Sequence, residues 1–212
     1  MVDSQSCIHT TYGYLFIGII IFIIGIFLWS NLNLPYLTNI WAYLLILVLT
    51  LGLLWWMLTL SPGISKTILA IVLILILSYF LYPVIVNLTR EELWKFVALT
   101  FLFFGLLTAI AFTAPPNYFA SWGRILTILL FILIIVGIVG LFLFRNRTVT
   151  LIYFLLVLAL FGAFVLYDTQ FIIQVCNELS TIQRNPDYIN MAASLFINAL
   201  NIFTATAGIG TI

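Results

Sequence analysis

Apolar residues in this chain fall in runs rather than in stripes. Seven stretches of about twenty residues are almost free of charge, and short clusters of Ser, Asn, Pro, Gly and charged residues separate them. A run of that length, wound as a helix, matches the ~30 Å hydrocarbon core of a bilayer. The pattern predicts membrane helices over about 11–29, 40–60, 66–86, 92–113, 122–144, 148–176 and 187–212. The punctuation agrees: Ser30 to Pro35 closes the first span, Ser61-Pro-Gly63 the second and Pro115-Pro116 the fourth. Pro83 falls in the last turns of the third span, where a membrane helix tolerates it. Thr89 with Glu92 three residues on predicts a capping box ahead of the fourth. Gly137 and Gly140 in the fifth allow a neighbouring helix to come close. The fold class expected is an all-α membrane protein, a single seven-transmembrane-helix bundle over residues 1–212.

Two features interrupt the apolar pattern. Asp168 follows the run from Thr148 to Tyr167, and Phe171 to Cys176 is apolar again, so the helix is expected to continue past the acid. A carboxylate at bilayer depth costs roughly 2.5–3.5 kcal/mol on insertion scales, which makes it a functional candidate. The alternative is that Asp168 ends a span and sits wet at the interface. The last span is the least apolar, and its polar residues are ordered. Asn190, Ser194, Asn198, Asn201 and Thr204 fall within roughly 120° of one another at ~100° per residue, and Gly208 extends the stripe. Such a stripe faces protein or a water-filled cavity. It serves either as interhelical glue, at about 0.6 kcal/mol per contact, or as the partner of Asp168.

Composition narrows the function. Hydrophobic residues at 65% and charged residues at 6% leave no means of covering a soluble surface, so lipid is the solvent for most of the chain. A net charge of +1 offers no basic face for nucleic acid. Cys7 and Cys176 are too few for a disulfide framework and show no metal spacing. His9 lies in the short polar N-terminus, outside the spans. The first ten residues hold no Lys or Arg and no small-x-small cleavage site follows, so the first helix is expected to remain as an anchor. Lys66, Arg124 and Arg184 flank one side of the expected bundle, and Arg90, Lys95, Arg145 and Arg147 the other. That balance is too even for the positive-inside rule to orient the chain.

Four groups of residues carry a family resemblance. Leu166-Tyr-Asp-Thr-Gln170 resembles the signature of the transmembrane Bax inhibitor motif proteins (Bax inhibitor, lifeguard and Golgi anti-apoptotic types). Ala98-Leu-Thr100 with Phe104-Gly-Leu-Leu-Thr-Ala109 is similar to the family's fourth span, and Ser121-Trp-Gly123 to the start of its fifth. Asp187-Tyr-Ile189 followed by Ala193 to Phe203 resembles its last helix. The resemblance implies a passive calcium leak that tunes calcium homeostasis and suppresses stress-induced cell death, gated by a proton-sensitive pair of aspartates. Asp168 matches the first of the pair, and Asn198 stands where the second is found. Two carboxylates in one site repel and share a proton; an Asp–Asn pair lacks that repulsion. Some members carry a basic residue at the end of the second span, where this chain reads Met57-Leu-Thr-Leu-Ser61 and Lys66 is the nearest cation.

On this reading Asp168 is the gate and ion contact, Asn198 lies opposite it, Asn201 supports it, and Asn190 and Ser194 line the same face. Asp168 and Asn198 form a weak calcium site, since calcium takes about six to eight oxygen ligands and a conduit must let its ion leave. No cofactor is expected, and the partners are the bilayer, calcium and other membrane proteins of cell-death pathways. The membrane implied is endoplasmic reticulum or Golgi for a eukaryotic or viral source, and plasma membrane otherwise. The alternative is a non-conducting membrane protein that regulates apoptosis by binding partners. An enzyme is not expected. Gly208-Ile-Gly210 is followed by Thr211 where an intramembrane aspartyl protease needs its second acid, so no acid–base pair can activate water.

Overall fold

The computed structural model describes residues 3–32, 40–143, 146–182 and 186–212. Pro35, Arg145, Arg184 and the expected end of the fifth span at 144 lie outside them. Seven α-helices follow in order: α1 Ser4–Leu32, α2 Ile40–Thr59, α3 Ile64–Val86, α4 Arg90–Thr113, α5 Gly123–Leu143, α6 Arg147–Ile182 and α7 Tyr188–Thr211, with a 3-10 turn, Ala120–Trp122, ahead of α5. No strand occurs among the described residues. Six of the helices are long and apolar enough to cross a membrane, and α2 carries a shorter apolar helix over Leu44–Thr59. The protein is an integral, multi-pass, all-α helical bundle.

The helix starts and stops follow local chemistry. Thr89 caps α4 with a full box: its Oγ1 accepts from the Glu92 amide at 3.3 Å, and Glu92 Oε2 accepts from the Thr89 amide at 2.8 Å. Asp187 caps α7, its Oδ1 accepting from the Asn190 amide at 3.2 Å. Pro83 lies inside α3 without ending it.

Helix α7 is the centre of the bundle, packed by α6, α1, α4 and α3. The reason is its composition. A helix with amides and hydroxyls along its length is the one that gains most from leaving lipid, so it takes the enclosed position. Met191, Leu195, Phe196, Ile202, Phe203 and Ala205 are buried on it together with Asn198. The outward faces of the other helices are apolar, as lipid requires: Phe27, Trp41 and Trp55 are all 71% exposed. Close approach between α1 and α3 rests on Gly25. A Cβ there would lie 2.9 Å from the Ser78 Cβ, and the Trp29 indole donates to the Ser78 hydroxyl at 2.8 Å across the same contact.

Two helices exceed what a bilayer needs. The 36 residues of α6 and 29 of α1 give lengths of roughly 54 and 43 Å. Beyond Asp168, α6 continues without a break to Ile182. Its end meets the start of α1, where Cys7 and Cys176 are joined in a disulfide, Cα to Cα 5.7 Å. The cysteine count excluded a framework of bridges; it gave no sign that the two would bond to each other.

Candidate functional site

Asp168 lies roughly 30 Å along α6 from Arg147 at ~1.5 Å per residue. That places it near the far edge of an apolar core, on an unbroken helix. The side chain is half-buried and turned toward α7, where the Asn198 amide Nδ2 donates to its Oδ2 at 2.7 Å. Asn198 itself is buried. The Ser194 hydroxyl, one turn before Asn198, is a second partner of the carboxylate and also reaches the Met191 carbonyl at 3.0 Å. A hydroxyl has a single proton, so it serves one of these acceptors at a time. Asp168, Asn198 and Ser194 are therefore one cluster.

The rest of the stripe is used differently. Asn201 turns back on its own helix and donates to the Ile197 carbonyl at 2.8 Å. Thr204 does the same toward Leu200. Asn190 reaches across to α2, its Nδ2 donating to the Leu58 carbonyl at 3.2 Å, while its Oδ1 is buried without a hydrogen-bond partner. The angular stripe placed all five polar residues on one face, yet that face meets α6 only over part of its length. Asn190 belongs instead to a clamp at the start of α7. There Lys66, expected to flank the bundle, is fully buried in the first turn of α3, paired with the Asp187 carboxylate and bonded to the Leu60 carbonyl at 2.9 Å. Tyr188 stacks on Tyr14 of α1 in the same region, ring centroids 5.8 Å apart. The clamp ties α7 to the α2–α3 turn and fixes the height at which Asn198 meets Asp168.

The residues flanking Asp168, which the sequence offers only as a family signature, are structural anchors. Consecutive helical residues point ~100° apart, so four of them sweep most of a turn. Tyr167 covers Gly123 at the start of α5, where a Cβ would lie 2.6 Å from the phenol ring. Asp168 meets α7. The Thr169 hydroxyl is 3.4 Å from that of Tyr12 on α1. Gln170, buried, accepts from the Phe119 amide at 2.6 Å and donates to the Pro115 carbonyl at 3.0 Å, holding the turn between α4 and α5. The signal that could have found Gln170 is an amide set in an apolar run, which must bond to something within the protein.

As a cation site the cluster is sparse. It offers one carboxylate, one amide and one hydroxyl, and no group of three or more His, Cys, Asp or Glu residues occurs among the described residues. Hard cations held tightly need more oxygen than this. No curated protein matches the chain. The family described as inhibitor of apoptosis-promoting Bax1 matches residues 4–209, nearly the whole length. With a seven-helix bundle folded around α7 and the Tyr167 to Gln170 tetrad at its junction, the chain belongs to that Bax inhibitor family of membrane proteins.

Proposed function

We propose that this protein, a Bax inhibitor-type membrane protein, lowers the response to death signals by letting calcium leak passively across its membrane. Asp168 is the gate and ion contact, and Asn198 lies opposite it. The observation that carries this reading is the 2.7 Å hydrogen bond between them. It joins a carboxylate to an amide across α6 and α7 in a bundle whose lipid-facing surfaces are mostly apolar. Opening requires that bond to break, after which both oxygens of Asp168 and the carbonyl oxygen of Asn198 can face a passing cation. The small number of ligands suits transit rather than storage. Ser194 assists as an alternate hydroxyl partner; Asn190 and Asn201 act through the position of α7. The same reading implies an intracellular membrane if the source is eukaryotic or viral.

The test is calcium flux into liposomes that contain the purified protein. Wild type should conduct, and Asp168→Asn should lose most of the flux while keeping its fold. Equal flux from the two would remove Asp168 from the path. The sparseness of the site among described residues favours one second reading, a non-conducting protein that acts through other membrane proteins of cell-death pathways. Absence of flux from correctly folded wild type would favour it.

A further inference from the structure

We propose that the Cys7–Cys176 disulfide is a redox-controlled staple that holds α1 closed over the flank of Asp168, and that reduction frees the α1–α6 seam. It rests on the calcium reading only for its functional consequence. Cys176 lies about 12 Å further along α6 than Asp168, at the end of the apolar stretch and next to the polar Asn177 and Glu178. On α1, Cys7, Thr11 and Leu15 form one buried face. On α6, Thr169, Ile172 and Cys176 form the buried face with them. Thr169 is the residue next to Asp168, so a movement of α1 away from α6 uncovers the acid's side.

Besides the apolar packing of Leu15 and Ile172, few polar contacts tie this seam. The Tyr12–Thr169 hydroxyl contact is long at 3.4 Å. Thr11 bonds to the Cys7 carbonyl of its own helix rather than across. Ser4 donates to Asn177 at the outermost level. The covalent bond is the strong link. Both cysteines are fully buried, so a thiolate cannot attack in the closed form, and exchange depends on access. Cys7, however, is only in the first turn of α1, where its amide bonds to the Asp3 carbonyl. Terminal turns fray at low cost, and fraying here exposes the sulfurs. Reduction and opening are therefore linked in both directions: opening speeds reduction, and reduction eases opening. In the reaction a dithiol gives up two electrons and two protons and becomes a cyclic disulfide. The bond between Cys7 and Cys176 breaks, and each sulfur takes one proton.

The experiment uses the full chain in lipid nanodiscs, with hydrogen exchange followed by mass spectrometry before and after dithiothreitol. Alkylation in the unreduced sample should find both cysteines blocked. After reduction, amides of residues 4–12 and 169–177 should exchange roughly tenfold faster, with α4 and α5 unchanged. The double variant Cys7→Ser with Cys176→Ser should match the reduced protein and ignore the reductant; if it fails to fold, the wild-type comparison alone decides. Free thiols in the unreduced protein, or exchange unaltered by complete reduction, would overturn the staple. Calcium flux from liposomes should rise in parallel with exchange. Faster exchange with no flux in either state would keep the staple and remove the calcium reading instead.

Discussion

Lys66 and Asp187 form a pair whose two halves are not equivalent, and the difference can be measured. Lys66 is 0% exposed and has the Leu60 carbonyl as its other acceptor, whereas Asp187 is 28% exposed at the start of α7. Asp187→Asn keeps a capping oxygen for the Asn190 amide but strands a buried ammonium with one neutral partner. Removing one half of a buried pair in this way costs on the order of 3 kcal/mol. Lys66→Met fills the same space with an apolar chain and leaves a carboxylate that water can reach, for which about 1 kcal/mol is expected. The gap of about 2 kcal/mol is up to thirtyfold in the unfolding equilibrium. The double substitution should cost no more than Lys66→Met alone, because no buried charge remains, and the cycle then isolates the coupling. Reversible unfolding in mixed detergent micelles provides the assay. Equal costs, or a larger one for Lys66→Met, would show that the ammonium is not buried as described.

Two further substitutions address the junction on α6. Asn198→Asp places two carboxylates within hydrogen-bond reach of each other, which cannot both ionise without strong repulsion; liposome flux should become pH-dependent between about pH 6 and 8, and a flat profile would mean that the two side chains part when the protein conducts. Gln170→Leu keeps the bulk but leaves the Phe119 amide without its 2.6 Å partner, at a cost of about 2 kcal/mol, and exchange at Phe119 and Ala120 should accelerate before any change at α7.

How much of this was legible in the sequence depends on whether the property belongs to one helix or to two. The spans, the Thr89–Glu92 box and the enclosed position of a polar α7 are properties of single segments, set by hydropathy and capping chemistry. Periodicity also put Asn198 and Ser194 on a protein-facing side. It could not say which neighbour each residue on that side meets, so Asn190 was grouped with Asp168 although α2 holds it, and Asn201 although its own helix does. Lys66 stands at the start of the third span as a cation flanking the bundle; its burial depends on Asp187, far along the chain. The Cys7–Cys176 bond spans 169 residues of sequence, and two isolated cysteines carry no spacing from which to read it.

The tetrad on α6 sets the terms on which Asp168 can be tested. Tyr167, Thr169 and Gln170 key α5, α1 and the α4–α5 turn to one helix. A defect from replacing any of the three would report lost packing and say nothing of an ion path. Asp168 differs because its contact can be kept while its charge is removed. In Asp168→Asn the new amide oxygen can still accept from the Asn198 Nδ2, in nearly the same volume. Asp168→Leu instead breaks the hydrogen bond and leaves a buried amide donor unpaired, which costs roughly 1–3 kcal/mol. If the charge matters to the ion, the two variants should lose flux alike while only the leucine variant unfolds more easily. If Asp168 is one more packing key, flux should follow stability, and the asparagine variant should conduct like wild type.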